Sequence, residues 1–445
     1  MKILLVNKFF YRKGGSETYM YALAEGLREM GHEVAFFSMQ HPSNEPSYWS
    51  KYFVSEKDYN GNTSLFRKVG EAVTIAYSPE ARRKFEALLE DFKPDIIHLN
   101  LVHRQLTFSI LDAPYLKKHH VPVVYTAHDY SLICPAYTMI NGRKEICESC
   151  IHGNVNNVFK NVCTKGSKAK SLLSYMEAEF LKLHRSYDKI DLIIACSQFM
   201  KTKLDEGGYA ERTITMQNFL TQKQIDMGRY VTNNHKYIDE VNGIHPYFLF
   251  FGRLSAEKGI RTLVKAFISA CQSAGHCSAL PANWDLHIIG DGPERSAIEH
   301  LIFQAPENVR PRIHMLGYEK GLELQQEVGN ARYSILASEW YENMPYSGLE
   351  SLSAQTPVIG ANIGGIPEIV INRKTGFRFK SGNIEDLRSR LLIAANMNRT
   401  DYAVMQQQCA EYVKVHCNHI HYAEKLTEKY IQLCCKKTSL AQLCR

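Results

Sequence analysis

The sequence predicts an α/β protein of two successive doubly wound parallel-sheet domains. Three observations predict it. Two stretches alternate short β-branched runs with helix-length amphipathic segments, the pattern of βαβ units. A polar stretch separates them. The chain has 445 residues, more than one ordinary core holds, and at roughly 150 residues per domain two or three domains are expected.

In the first stretch Ile3–Val6 reads as a buried strand, followed by a Gly14-Gly15 turn. From Ser16 to Met30 the residues Met20, Leu23, Ala24 and Leu27 share one helical face. Gly31 supplies the left-handed residue that ends that helix, and Glu33–Phe37 is the next strand. Asp95–Leu99, Val121–Thr126, Leu192–Cys196 and Ile214–Met216 continue the series. Residues 1–220 are therefore expected to form one domain, with a cysteine-containing insertion at 134–163. Residues 221–245 have little apolar periodicity and read as a linker. Strands restart with Tyr247–Phe251, Leu286–Ile289, Ile313–Leu316, Tyr333–Ala337 and Pro357–Gly360, giving a second domain over 246–400. Residues 401–445 read as a helical tail that packs back on the first domain. Two such sheets make a cleft, and ligands bind at the carboxyl ends of their strands.

Composition narrows the function. Lys and Arg exceed Asp and Glu by 53 − 46 = 7, which suits an anionic ligand or an anionic membrane surface but falls short of a nucleic-acid binder's footprint. No helix-turn-helix, zinc-finger or RNA-recognition pattern occurs, so no nucleic-acid partner is expected. The first residues run directly into a strand pattern, with no signal-peptide layout, and no run of about 18 apolar residues is present. A cytoplasmic protein is expected, with a peripheral seat on the inner face of the cell membrane compatible with its charge. In a reducing compartment its 12 cysteines are expected as thiols or metal ligands.

The chemistry gathers in the second half. A strand ends near Ala337, a loop carries Glu342 and Asn343, and Pro345 stands where a helix would begin. The free amides of that helix would offer an anion site. Glu350, further along the same helix, joins Glu342 as a second acceptor-only carboxylate, and such groups suit the hydroxyls of a sugar and a ribose. Alone, this pair is more simply a solvated acidic loop. Arg253 and Lys258 lie between a strand and a helix, where they could neutralise a departing diphosphate. Alone, they are equally an exposed basic loop. The turns at Gly290–Glu294 and Gly14-Gly15 are weak signals without a full dinucleotide fingerprint.

Taken together and in this order, the segments resemble the GT-B-fold group 1 glycosyltransferases, the large retaining family four. The most specific element is a pair of glutamates with seven residues between them, Glu342 and Glu350, with Asn343-Met-Pro345 inside it. The likeness runs from the Gly14-Gly15 corner to the Asn362-Ile-Gly364-Gly365-Ile-Pro367-Glu368 turn. It implies two Rossmann-like domains facing a central cleft, with a C-terminal helix crossing back. It implies that Glu350 binds the ribose, Glu342 the donor sugar, and the Met344, Pro345, Tyr346 and Ser347 backbone the sugar and phosphates. Arg253 and Lys258 would stabilise the leaving diphosphate without a catalytic metal. Gly14 and Gly15 would let the backbone approach the donor, and the base would sit near Leu316, Gly317 and Tyr318. His128, at the end of a strand, would meet the donor sugar or the acceptor, although a His there is as readily structural.

The implied reaction moves a sugar, with retention, from a UDP- or GDP-sugar to a glycan or lipid-linked acceptor, in the building of a surface polysaccharide or glycoconjugate. No cofactor is required for it. The alternatives are another enzyme on the same fold, such as a sugar-nucleotide epimerase or a glycan phosphorylase, and a non-catalytic sugar-nucleotide-binding protein. The glutamate pair with two cations favours transfer.

Cys134, Cys147, Cys150 and Cys163 stand apart: a Cys-x-x-Cys pair flanked on each side by a single Cys at twelve intervening residues. Four thiolates suit structural zinc. The spacing departs from the familiar paired knuckles, and buried thiols or an exchanging redox pair remain open on sequence alone. From Lys160 to Lys189 a basic amphipathic segment reads as a domain helix with a solvated face, or as a helix resting on anionic lipid.

Overall fold

The computed structural model describes residues 1–56, 74–235, 245–272 and 279–443. The chain divides into two compact units, one of residues 1–217 with 419–445, the other of residues 218–418.

The first unit is built on β1 (Lys2–Val6), β2 (Glu33–Phe37), β3 (Ile96–Leu99), β4 (Val123–Ala127), β5 (Leu192–Ala195) and β6 (Thr213–Thr215). All pair in parallel, in the order β2-β1-β3-β4-β5-β6. β3, β4 and β5 are buried along their whole length, which is why they read as continuous apolar runs rather than alternating ones. Helix α1 (Gly15–Glu29) follows β1 and is ended by Gly31 at φ 81°. Helix α2 (Lys168–Leu183) is capped by the Ser167 hydroxyl on the Lys170 amide; it buries Ser171, Ser174, Glu177 and Leu181 and leaves Lys168, Lys170 and Lys182 in solvent.

The second unit carries β7 (Tyr247–Phe251), β8 (Asp285–Ile289), β9 (Ile313–Gly317), β10 (Tyr333–Leu336), β11 (Val358–Ala361) and β12 (Gly376–Phe379). Their order is β12-β11-β10-β7-β8-β9, again parallel. Counted along the chain from β7, this is the 3-2-1-4-5-6 order of dinucleotide-binding sheets, and the winding reverses between β7 and β10. In the first unit the reversal falls between β1 and β3.

Two expected boundaries are corrected. Much of the stretch read as a linker is helix α3 (Gln222–His235), a member of the second unit; residues 236–244 lie outside the described residues. Its contact is made through Ile225 and Gly228 rather than a broad apolar stripe, so periodicity missed it. A Cβ on Gly228 would come within 2.7 Å of the Ser353 backbone. The tail read as one element is two. Helix α6 (Arg399–His416) stays with the second unit, and α7 (His419–Leu443) belongs to the first. Between α3 and α6, helices α4 (Ile260–Ala270) and α5 (Tyr346–Ser353) follow β7 and β10. β12 escaped the sequence reading because Gly376 and Arg378 interrupt its apolar run.

In the first unit α7 packs on α1 so closely that a Cβ on Gly26 would lie 3.2 Å from Ala423 Cβ. The Tyr422 hydroxyl hydrogen-bonds that of Tyr19 at 2.7 Å. Among the described residues no helix is long and apolar enough to cross a membrane.

Candidate functional site

The second unit's strand ends are stitched into one surface by glycines that no other residue could replace. A Cβ on Gly259, at φ 66°, would sit 1.9 Å from the Ala337 carbonyl oxygen, so the turn after β7 lies directly against the end of β10. The Glu339 amide donates to the Glu257 carbonyl at 2.9 Å across the same seam. Gly290 meets Gly252 at 1.9 Å by the same measure, and the Leu254 amide donates to the Asp291 carbonyl at 2.9 Å, joining the turns after β7 and β8. On the other flank Gly364, at φ 58°, brings the turn after β11 against Glu342, whose carbonyl accepts from the Gly365 amide at 2.7 Å. The point where the winding reverses is thus the centre of a continuous crevice rim.

Glu342 and Lys258 meet there as an ion pair. The Ser338 hydroxyl donates to the same carboxylate at 2.9 Å. Glu342 is buried, which by itself would raise its pKa. The Lys258 ammonium and the hydrogen bonds it accepts outweigh that, and the carboxyl lies below the ordinary range. Arg253 is not drawn into this pair. Its guanidinium is two-thirds exposed and engages Glu257, within its own loop. Glu350 sits in α5. It retains some surface, yet desolvation pushes its pKa up to about 7. The two glutamates are therefore held in opposite ways, one charged by a cation and one biased toward its neutral form.

α5 begins after Pro345, with Met344 buried and its carbonyl accepting from the Asn218 side chain at 2.9 Å. Asn343, Tyr346 and Ser347 are half-buried around its first turn. Gly317, at φ 81°, ends β9, and its carbonyl accepts from Gly290 at 2.6 Å; Tyr318 beside it is exposed.

The first unit has its own polar group where its winding reverses. The His128 Nε2 pairs with Asn100 Oδ1 at 2.8 Å, and burial lowers its pKa to about 3, so the ring is neutral. Gly14 caps α1 and Gly15 opens it. Glu17, in that first turn, is buried and accepts from Asn7 Nδ2 at 2.8 Å. Lys8 follows β1 directly; burial lowers its pKa, opposed by the charges of Asp129 and Glu17. Sequence reading passed over Lys8, Asn7, Asn100 and Glu17, although an acid three residues after a Gly cap was a legible sign. It also passed over Ser338. His98 is structural: fully buried, with one nitrogen on the Tyr430 hydroxyl and the other on Thr126 Oγ1 at 2.6 Å.

Two groups of three potential metal ligands have donor atoms within 4.8 Å of one another among the described residues: Asp285, His287 and His314, and Glu25, Glu29 and His419. The four cysteines are spaced more widely, but all four line one small cavity, and all are free thiols. Burial pushes Cys134 and Cys163 up to about 11 and Cys150 up to about 12.

Comparison with known proteins agrees with the two-domain α/β fold. Residues 13–219 match the profile of Glycosyltransferase Family 4, and residues 233–414 that of Glycosyl transferases group 1. An uncharacterized 42.6 kDa protein in the cps region of Klebsiella pneumoniae is 24% identical over 83% of this chain and 87% of its own. A putative colanic acid biosynthesis glycosyltransferase of Salmonella typhimurium, WcaL, is 21% identical over 88% of this chain and 89% of its own. The structure of Anabaena Alr3699/HepE in complex with UDP and glucose superposes with a TM-score of 0.64 at 16% identity, over 97% of this chain and 100% of that one. At that identity the likeness concerns the fold, which is GT-B.

Proposed function

Since the chain belongs to the group 1 glycosyltransferases, we propose that it transfers a sugar, with retention of anomeric configuration, from a nucleoside-diphosphate sugar to a glycan or lipid-linked acceptor in surface polysaccharide assembly. The single observation that carries the donor half is the ion pair of half-buried Lys258 with buried Glu342, set where the second sheet's winding reverses, next to the start of α5.

The physical task of such a transfer is charge placement. As the bond from the anomeric carbon to the diphosphate breaks, the sugar gains oxocarbenium character and the phosphate gains negative charge. Lys258 is fixed by Glu342 and needs no reorganisation to meet that charge. Arg253 reaches it by exchanging Glu257 for phosphate. The free amides at the start of α5 add partial positive charge. These groups do the work for which other transferases use a divalent metal, so transfer proceeds without one. Glu350 accepts from the ribose hydroxyls, Glu342 anchors the sugar, and the base lies by Gly317. In the first unit neutral His128, oriented by Asn100, offers a hydrogen-bonding edge to a sugar hydroxyl. Polysaccharide assembly rests on the names of the Klebsiella and Salmonella relatives, and UDP on the Anabaena structure.

The purified protein is to be incubated with UDP-, GDP-, ADP- and dTDP-sugars, and nucleotide release and the anomeric configuration of the released or transferred sugar followed. One nucleotide class should turn over, insensitive to chelator, with the donor's anomeric configuration kept. Arg253→Ala should lower turnover about 100-fold with a smaller effect on donor affinity. Inverted product, or no turnover with any donor, would remove the proposal.

A further inference from the structure

Cys134, Cys147, Cys150 and Cys163 do no work in the transfer chemistry, yet the fold gathers them. They reach one point from three separate parts of the connection between β4 and α2, and together with Ile151 and Val158 they line a cavity of about 10 Å³. That is room for a single water-sized sphere. The lining offers almost no polar surface to hold water; the four cysteines share it chiefly with Ile133, Met139 and Ile140.

The Ala136 and Met139 amides face the Cys134 sulfur. The Val158 and Gly142 amides donate to the Val155 and Asn161 carbonyls, at 3.2 and 2.9 Å. Cys147 accepts from Asn161 Nδ2 at 3.9 Å, and the Cys147 and Cys163 thiols donate to Ser149 Oγ at 3.4 Å and the Asn157 carbonyl at 4.0 Å. Four sulfurs around one small, nearly dry volume form a ligand set for a thiophilic cation at its centre. The backbone of this connection also needs a clamp. Apart from one bridge between Ile140 and Ile146 and the short helix Asn157–Lys160, it has no regular structure between β4 and α2. Tyr137, Met139, Lys144, Val162 and Lys165 all hold positive φ, including a β-branched residue at 48°. Each such residue is strained and persists only where surroundings over-determine it.

We propose that these four thiolates bind one structural zinc ion, closing the β4–α2 connection just after His128 and fixing the path of that loop. Loading requires the side chains to draw together from their wider spacing, and four protons leave as zinc binds. The ion is not part of the transfer chemistry.

The full-length protein, expressed with zinc and purified without chelator, should contain about one zinc per chain. A mercurial that caps thiols should release it to a zinc indicator, and cobalt substituted for it should show the intense absorption of tetrahedral thiolate coordination. In Cys147→Ser/Cys150→Ser the zinc should fall below about a tenth of an equivalent, while His287→Ala/His314→Ala should keep it. The mercurial and cobalt readings use the parent protein, so they stand even if the cysteine variant fails to fold. Less than about half an equivalent of zinc, retention through mercurial treatment, or loss with the histidine variant would each overturn the site.

Discussion

Glu350 stands in α5 with a pKa pushed up to about 7 by desolvation. Below that pH its carboxyl is protonated, and above it the carboxylate accepts hydroxyl hydrogen bonds more strongly. Nucleotide affinity should therefore fall as pH drops through about 7, by up to tenfold per unit, and Glu350→Gln should flatten that dependence. Stability runs the other way. A carboxyl whose folded pKa lies above its unfolded value binds more protons when folded, so stability declines as pH rises from about 4.5 to about 7. Glu350→Gln should thus unfold at higher temperature than the parent at about pH 8, by an increment worth roughly 2 kcal/mol. Calorimetric titration and thermal melts across pH check both. Glu342 contrasts with it, since Lys258 holds it charged. The sequence displayed both glutamates and both cations, because residue types at fixed spacing are visible in one dimension. It could not display that Glu257 intercepts Arg253, nor that Ser338 supports Glu342, because those pairings depend on how a loop turns.

At the scale of elements, the rim of the second unit rests on backbone-to-backbone approach. Gly259 and Gly321 both have positive φ, 66° and 62°, but only Gly259 has backbone where a Cβ would go. Gly321→Ala should cost about 1 kcal/mol from conformation alone. Gly259→Ala should cost at least about 3 kcal/mol, because the turn after β7 must leave the end of β10, and it should abolish nucleotide binding. Denaturant unfolding of the two variants separates strain from steric loss; equal costs would show the seam to be loose. Eleven of the twelve strands were legible, since strands buried on both faces write continuous apolar runs. β12 and α3 were not. One has its apolar run broken by Gly376 and Arg378, and the other is held by a glycine contact that leaves no periodic trace.

For the whole molecule, two doubly wound units follow from the repeated alternation of strand and helix, but their chain boundaries do not. The first unit recruits α7 from the far end of the sequence, through Gly26, Tyr422 and the bond from Tyr430 to His98, a return expected of the tail, but nothing in the sequence marked the break at residues 417–418 that leaves α6 with the second unit. The second unit is complete within residues 218–418 and carries the four residues assigned to the diphosphate, the ribose and the donor sugar. The most direct measurement is titration of the full protein with nucleoside diphosphates and their parent nucleosides, in the parent and in Lys258→Ala. One diphosphate should bind the parent. Lys258→Ala should weaken it about 10- to 100-fold while leaving the nucleoside's weaker binding unchanged. If no diphosphate binds, or if Lys258→Ala binds it as the parent does, the site does not hold a sugar nucleotide.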